Sequence, residues 1–524
     1  MKNWTRFVEN SARNVVCWSS TAALLYLTVT AFTSTWSSPN SYTEHLDPYS
    51  DPVVWGTAIT LFAVCLMGSG VSRWLSDEAT AEKRLRIGCA AVCIWIFMLA
   101  VLWGLQGDFV PAYDMGQVWN AALALLEGRT EFVNESFFEW YPFQVGTAYY
   151  FMLVFRLFGA PGILPIVLTN AAWLSLCVWC GYWMTGAYCR DPRARGVYLI
   201  LAALCIQPVL YSPICYGELP SFGCCWLALV CAVKFSRGGG WRWLLLLAGA
   251  AMLGVVVRST SMITVLAIVL VFAVEFFCLR DRRTSLRNGA ALLMVLVIFA
   301  AGVKIGDVLS RYMEFRYGVE LKDGMPKSSW LVMGVKESGL GPGWFGGWRN
   351  WVYEASHGDM ELADVKSKIE LKNQFRMFAE DPAYAAEFFG NKMASQWSDP
   401  TFQCLANYYK EESAKSGLVT ALYEGELHQT AIAVMDRYQS VVYLAALAGA
   451  LALYRKKDEG IACTLPLVVF LGGFLFYFFW EAKGRYCLPF FMMLLPVAAE
   501  GVLWLHGLLV RGWDRLNKKW KKTS

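Results

Sequence analysis

Residues 87–114, IGCAAVCIWIFMLAVLWGLQGDFVPAYD, decide the fold. Residues 87–106 form an apolar run with no charged side chain, enough at about 1.5 Å per residue to cross a hydrocarbon core of about 30 Å. Asp108-Phe-Val-Pro-Ala-Tyr113-Asp114 then interrupts the run, with Pro111 breaking the span and Asp114 placed to cap a new helix. Beyond it, Met115, Val118, Trp119, Ala122, Leu125 and Leu126 recur at helical steps, while Gln117, Asn120, Glu127 and Arg129 take the other face. That pattern predicts a helix lying flat on the membrane surface and ending at Gly128.

The rest of the chain agrees with a life in the membrane. Of 524 residues, 56 % are hydrophobic and only 17 % are charged, with a mean hydropathy of +0.40. This excludes a cytosolic enzyme, and 24 Trp, 24 Tyr and 32 Phe exclude a disordered chain. The expected fold class is an all-α polytopic membrane protein with about twelve spans, near residues 14–35, 53–75, 87–106, 163–188, 197–213, 219–235, 243–258, 259–278, 288–307, 438–454, 461–480 and 486–510. Residues 142–160 are also apolar. Placed at the outer interface as a second surface helix, they leave Arg73/Lys83/Arg84/Arg86, Arg190/Arg193/Arg195, Arg237/Arg242, Arg280/Arg282/Arg283/Arg287 and Arg455/Lys456/Lys457 all in cytoplasmic loops. Both termini are basic, through Lys2, Arg6 and Arg13 and through Arg511, Arg515, Lys518, Lys519, Lys521 and Lys522, and are expected to be cytoplasmic. Residues 14–35 lack a small-residue cleavage site and read as a retained helix. The expected organisation is a transmembrane core over 1–308 with an external loop at 107–162, an extracytoplasmic aromatic-rich segment at 309–437, and C-terminal spans with a basic tail at 438–524.

The 16 Cys suggest no disulfide framework, because most sit inside apolar runs where a thiol packs as a small hydrophobe. Cys177 and Cys180 have metal-like spacing, but no second pair and no nearby His accompanies them, so helix packing is expected.

Chemistry is expected on the external side. Asp114 has two readings, a capping-box residue with Gln117 three positions on, or a carboxylate held where a hydroxyl acceptor meets a lipid-borne donor. The loop continues through Trp140-Tyr141-Pro142-Phe143-Gln144-Val-Gly146 to Leu157-Phe158-Gly159. With Asp114 at the start of one surface helix, Gly128 at its end, Tyr141-Pro142, and Phe158-Gly159 closing a second, the chain resembles membrane glycosyltransferases of the GT-C fold. The likeness is to the bacterial branch similar to protein O-mannosyltransferases and to the aminoarabinose transferase of lipid A. It extends to Tyr216-Gly-Glu218-Leu-Pro220, Arg258-Ser-Thr260 and Glu481-Ala-Lys483-Gly-Arg485-Tyr486-Cys-Leu-Pro489, while two extra N-terminal spans and the long external segment depart from the pattern.

The resemblance implies transfer of a sugar from a polyprenyl-phosphate donor to an extracytoplasmic glycan, lipid or protein. Arg258, Lys483 and Arg485 stand on the outer side against the charge rule, and a lipid phosphate is one explanation. Pairing with Glu218, Glu481 or headgroups is the other. In this reading Asp114 takes the acceptor's proton, the cations stabilise the departing phosphate, and Tyr141, Gln144, Glu218, Glu481 and Tyr486 line the substrate. No cofactor is required. A divalent metal shared by Asp108 and Asp114 is an option, against a structural role for Asp108. No Walker-type loop or HExxH motif is present, the inner loops are too short for a nucleotide-sugar domain, and no nucleic-acid partner is expected.

In the external segment, the Gly- and Trp-dense stretch from Trp330 to Trp351 is not expected to be regular helix. Phe375–Lys392 reads as helix, turn at Asp381-Pro382, helix, leading to Gln396-Trp397-Ser-Asp399-Pro400. Lys392 and Trp397 are candidates to meet donor or acceptor, with a cap over the first loop as the simpler role. His357 and His428 read as solvated; Glu275, Glu500 and His506 read as buried hydrogen-bonding groups. Two other classes fit a multi-span chain, a transporter or flippase of lipid-linked saccharides and a receptor-like membrane protein. Paired broken helices and an inverted repeat, the marks of the first, are not evident, and the second does not explain the outer cations.

Overall fold

The computed structural model describes residues 2–278, 282–406, 408–410, 413–455 and 460–523. Arg280, Lys456 and Lys457 lie outside the described residues, as do the side chains of Lys2, Arg6, Arg282, Arg283, Lys519, Lys521 and Lys522. The chain is a helical membrane protein, and its described residues include a short hairpin, Ser34–Ser37 against Asp47–Ser50, antiparallel with Ser34 opposite Ser50.

Among the described residues, eight helices are long and apolar enough to cross a bilayer: Phe7–Thr33, Val53–Trp74, Glu78–Gly104, Ile163–Tyr188, Glu218–Ser236, Ser259–Cys278, Leu286–Val303 and Ile461–Phe479. Four of the twelve expected segments take other forms. Residues 197–213 are broken into Pro192–Leu204 and Gln207–Leu210, because Pro208 cannot continue the preceding helix. Trp241–Val257 is a helix of only 17 residues. The segment expected at 438–454 is the later part of a longer helix, Leu427–Arg455. The last one bends by 60° between Gly484–Met492 and Leu495–Lys518, giving a ninth crossing if the pair is one span.

Small residues bring these helices together. Leu427–Arg455 runs along Leu495–Thr523 and Lys2–Thr33. A side chain at Gly449 would strike the Val497 carbonyl, and one at Gly501 the Ala445 carbonyl. Backbone-to-backbone approach through small residues is how helices gain packing energy where lipid offers no hydrophobic contrast. No disulfide links any of the 16 cysteines.

The two helices of the first loop, Tyr113–Leu126 and Gln144–Phe158, pack on each other. Met115, Val118, Ala122 and Leu125 are buried, while Asn120, Glu127 and Arg129 are exposed, as the period predicts. The first helix stops at Leu126, and Gly128 takes the left-handed φ of 76° that releases the chain. The cap differs from expectation: Ala112 is the N-cap and makes no side-chain bond, so Asp114 lies inside the first turn and its carboxylate is not spent on capping.

Residues 305–406 and 413–423 add six further helices. Their helices are Ile305–Tyr317, Lys327–Val335, Trp348–Ala355, Met360–Glu380, Pro382–Trp397 and Gly417–Tyr423. The Trp-dense stretch is helical at both ends and irregular only between, a correction that follows from Trp330 and Val352 being buried along helix faces. The turn at Asp381-Pro382 is as read, with Asp381 Oδ1 accepting from the Ala383 and Tyr384 amides at 3.1 and 3.0 Å. Residues 107–112 pair with Tyr409 and Lys415 through bridges at Gly107/Lys415 and Pro111/Tyr409.

Candidate active site

Four helix ends converge on one cluster. Asp114 comes from the first turn of Tyr113–Leu126, Tyr216 and Glu218 from the start of Glu218–Ser236, and Arg258 from just beyond Trp241–Val257. Glu481, Lys483, Arg485 and Tyr486 come from the start of Gly484–Met492. Gly217, with φ 81°, makes the approach possible, because a Cβ there would lie 2.8 Å from Val257 Cγ1 and 3.0 Å from its carbonyl oxygen. Gln144 helps hold the same junction: the Thr147 hydroxyl donates to the Val257 carbonyl at 2.7 Å and lies 2.9 Å from Gln144 Oε1.

Two phenol rings organise the cations. Arg258 and Arg485 stand 5.6 and 5.2 Å from the Tyr216 ring, and 5.6 and 5.5 Å from the Tyr486 ring. Arg485 also lies 5.4 Å from the ring of Tyr408. Arg258 Nη1 donates to Glu218 Oε1 at 3.0 Å, a buried pair that leaves Glu218 Oε2 without a partner. Arg485 differs. Its side chain is buried, its Nε has no hydrogen-bond partner, and among the described residues no carboxylate stands within ion-pair distance of it. A buried guanidinium held by rings rather than by a carboxylate has donors available for an incoming anion.

Asp114 joins the cluster through Tyr216, whose hydroxyl donates to Asp114 Oδ2 at 3.4 Å. Burial, followed by the neighbouring Asp114 carboxylate, pushes the Tyr216 phenol well above its ordinary pKa, so it stays protonated and remains a donor.

Two members come from parts of the chain without a recognisable motif. Arg349, from Trp348–Ala355, stacks 4.5 Å from the ring of Tyr141 and 5.5 Å from that of Phe345, and its Nε has no partner. Burial lowers its pKa, and the carboxylates of Glu481 and Asp114 oppose that shift. Glu44, from the loop between the hairpin strands, accepts from Lys483 Nζ at 2.9 and 3.0 Å. Lys483 is therefore already neutralised. Burial disfavours a charged Glu44, but Lys483 and then Arg485 outweigh it and hold that carboxyl below the usual range.

Other candidates lie elsewhere. Lys392 is fully buried and gives its three N–H donors to the carbonyls of Gly334, Phe478 and Trp480, leaving none for a ligand. Trp397 is enclosed by Phe470, Phe474 and Phe490. Asp108 is exposed, and among the described residues no group of three or more His, Cys, Asp or Glu side chains could hold a metal ion. His357 is exposed, whereas His428 is buried, with Nδ1 2.9 Å from the Leu422 carbonyl and Nε2 3.4 Å from that of Ser38, so the preceding helix and the hairpin loop close over it. Glu275 accepts from Ser236, and His506 Nε2 lies 3.1 Å from the Ser69 hydroxyl.

Buried cations with unspent donors, a carboxylate at a helix start and surrounding aromatic faces suit the binding of a phosphorylated, hydroxyl-rich molecule. No family model matches the chain, and no curated protein matches it.

Proposed function

We propose that the protein is an integral membrane glycosyltransferase that moves a sugar from a polyprenyl-phosphate donor to a hydroxyl of an extracytoplasmic glycan, lipid or protein. The observation that carries the reading is Arg485, buried with no carboxylate at ion-pair distance among the described residues, sharing the ring of Tyr216 with Arg258 while that tyrosine bonds Asp114. An unpaired cation in a low-dielectric site is costly and is explained if an anion completes it.

In this mechanism the acceptor oxygen attacks the anomeric carbon as Asp114 takes its proton. The bond between that carbon and the phosphate oxygen breaks, and its electron pair leaves with polyprenyl phosphate. Arg485 and Arg258 stabilise the charge gathering on the leaving group. Arg349 and Tyr141 border the carboxylate side, and Lys483 with Glu44 anchors the loop that bears Arg485. Displacement in a single step inverts the anomeric centre. No step is assigned to a metal or other cofactor.

The same proposal places about twelve crossings in the cell membrane, both termini in the cytoplasm and the site on the outer side. The test is release of polyprenyl phosphate from a panel of polyprenyl-phosphate sugars by the purified protein. Turnover that is lost in Asp114→Asn supports it. Intact donors that cross reconstituted vesicles support a flippase instead.

A further inference from the structure

On the far flank of Asp114 lies a second feature that the transfer chemistry does not use. Between residues 110–112, the first two turns of Tyr113–Leu126, and Lys410 opens a pocket of about 230 Å³. Its wall includes Pro111, Tyr113, Gln117, Trp119, Asn120 and Lys410. Backbone bonds fix its floor, from Lys410 N–H to the Val110 carbonyl at 3.0 Å and from Ala112 N–H to the Tyr408 carbonyl at 2.9 Å.

Resting on the transferase reading, we infer that this pocket is the acceptor subsite and takes one ring of a saccharide. Three observations carry the inference. First, the lining alternates aromatic faces, from Tyr113 and Trp119, with side-chain amides, from Gln117 and Asn120. Sugar hydroxyls both donate and accept, and an amide does both within one group, while the C–H face of a ring suits an aromatic surface. Second, the volume falls below the roughly 300–1,000 Å³ of drug-sized pockets, a size that suits a single sugar ring.

Third, the pocket is wired to the cation cluster at two places. Tyr113 lines the pocket while the next residue, Asp114, meets Tyr216; Lys410 lines it while Tyr408, two residues earlier, meets Arg485. Tyr113 holds a left-handed φ of 49° and is 77 % exposed. A bulky residue in that conformation is strained, and such strain is retained where a side chain must be presented. The pocket thus shares the first turn of Tyr113–Leu126 with Asp114, whose own side chain lies outside the lining and meets Tyr216.

The test uses the full-length purified protein in detergent, with neutral mono- to tetrasaccharides and no lipid-linked donor, read by saturation-transfer NMR. The expected result is binding of at least one saccharide by wild type, weakened at least tenfold in Gln117→Ala/Asn120→Ala. Tyr113→Gly, which removes the ring and tolerates the positive φ, gives the same loss with an unchanged melting temperature. No saccharide bound by wild type, or equal binding by both variants, overturns the inference. Release of polyprenyl phosphate to water, measured on the same samples, separates the two questions. If release persists while saccharide binding is absent, the subsite fails and the transferase stands. If saccharides bind but no donor is ever cleaved, the transferase reading fails.

Discussion

The hydroxyl of Tyr216 donates to Asp114 Oδ2 at 3.4 Å, and the ring of the same residue stands 5.2 Å from the Arg485 guanidinium. One side chain thus touches both halves of the proposed chemistry, the proton acceptor and the cation that meets the leaving group. Tyr216→Phe separates the two contacts, since it keeps the ring and removes the hydroxyl. The bond is long, so a loss of about 1 kcal/mol is expected, roughly a fivefold slower transfer. Turnover rates with unchanged donor affinity check it; a fall in donor affinity alone would argue that Tyr216 acts only on the cations.

Arg485→Lys keeps a charge but gives up the planar fork that grips two phosphate oxygens. It is expected to retain a fraction of the activity, with Arg485→Ala slower by about 10²–10³. Rates measured beside binding of polyprenyl phosphate itself separate ground-state from transition-state effects. Equal activity in the two variants would show that charge at this position is irrelevant.

The Lys483–Glu44 pair ties the hairpin loop to the start of Gly484–Met492. Glu44→Gln or Lys483→Met alone leaves a largely buried charge and should destabilise by about 3–5 kcal/mol, whereas the double change recovers much of it. Because the Glu44 carboxyl is held below its ordinary value, its contribution is fully present above the unfolded carboxyl value of about 4.3 and fades as pH falls through the lower folded value. Thermal unfolding between pH 6 and 3 should show an acid loss in wild type that is smaller in the double variant.

Lys392 holds three carbonyls from two separate helices and the residue after one of them. Lys392→Met strands those acceptors in a buried place and is expected to cost about 3 kcal/mol or more without altering the acceptor KM of the molecules that fold. A selective change in KM at unchanged stability would restore Lys392 to the substrate site.

Much of this was legible locally. The eight helices long and apolar enough to span, among the described residues, follow from their apolar runs, the helix from Tyr113 to Leu126 from its period, and its release from Gly128. What escaped depends on distant partners. The helix that holds residues 438–454 extends back to Leu427 through Asp436 and Arg437, and Arg437 is neutralised by Asp51, just past the hairpin, at 2.8 Å. Arg349 and Glu44 carry no motif, and only the folded chain brings them beside Asp114 and Lys483. The 60° bend after Met492 is foreshadowed by Pro489 and Pro496, which an apolar count overlooks.

The central claim is that Asp114 accepts the acceptor's proton opposite a phosphate held by Arg485. Its most direct measurement is polyprenyl phosphate released per folded molecule by wild type and by Asp114→Asn, each given the same polyprenyl-phosphate sugar. The account predicts a fall of about 10²–10⁴ in Asp114→Asn with donor binding intact. Equal release by the two proteins, or no release by either while donor is carried across vesicles, would contradict it.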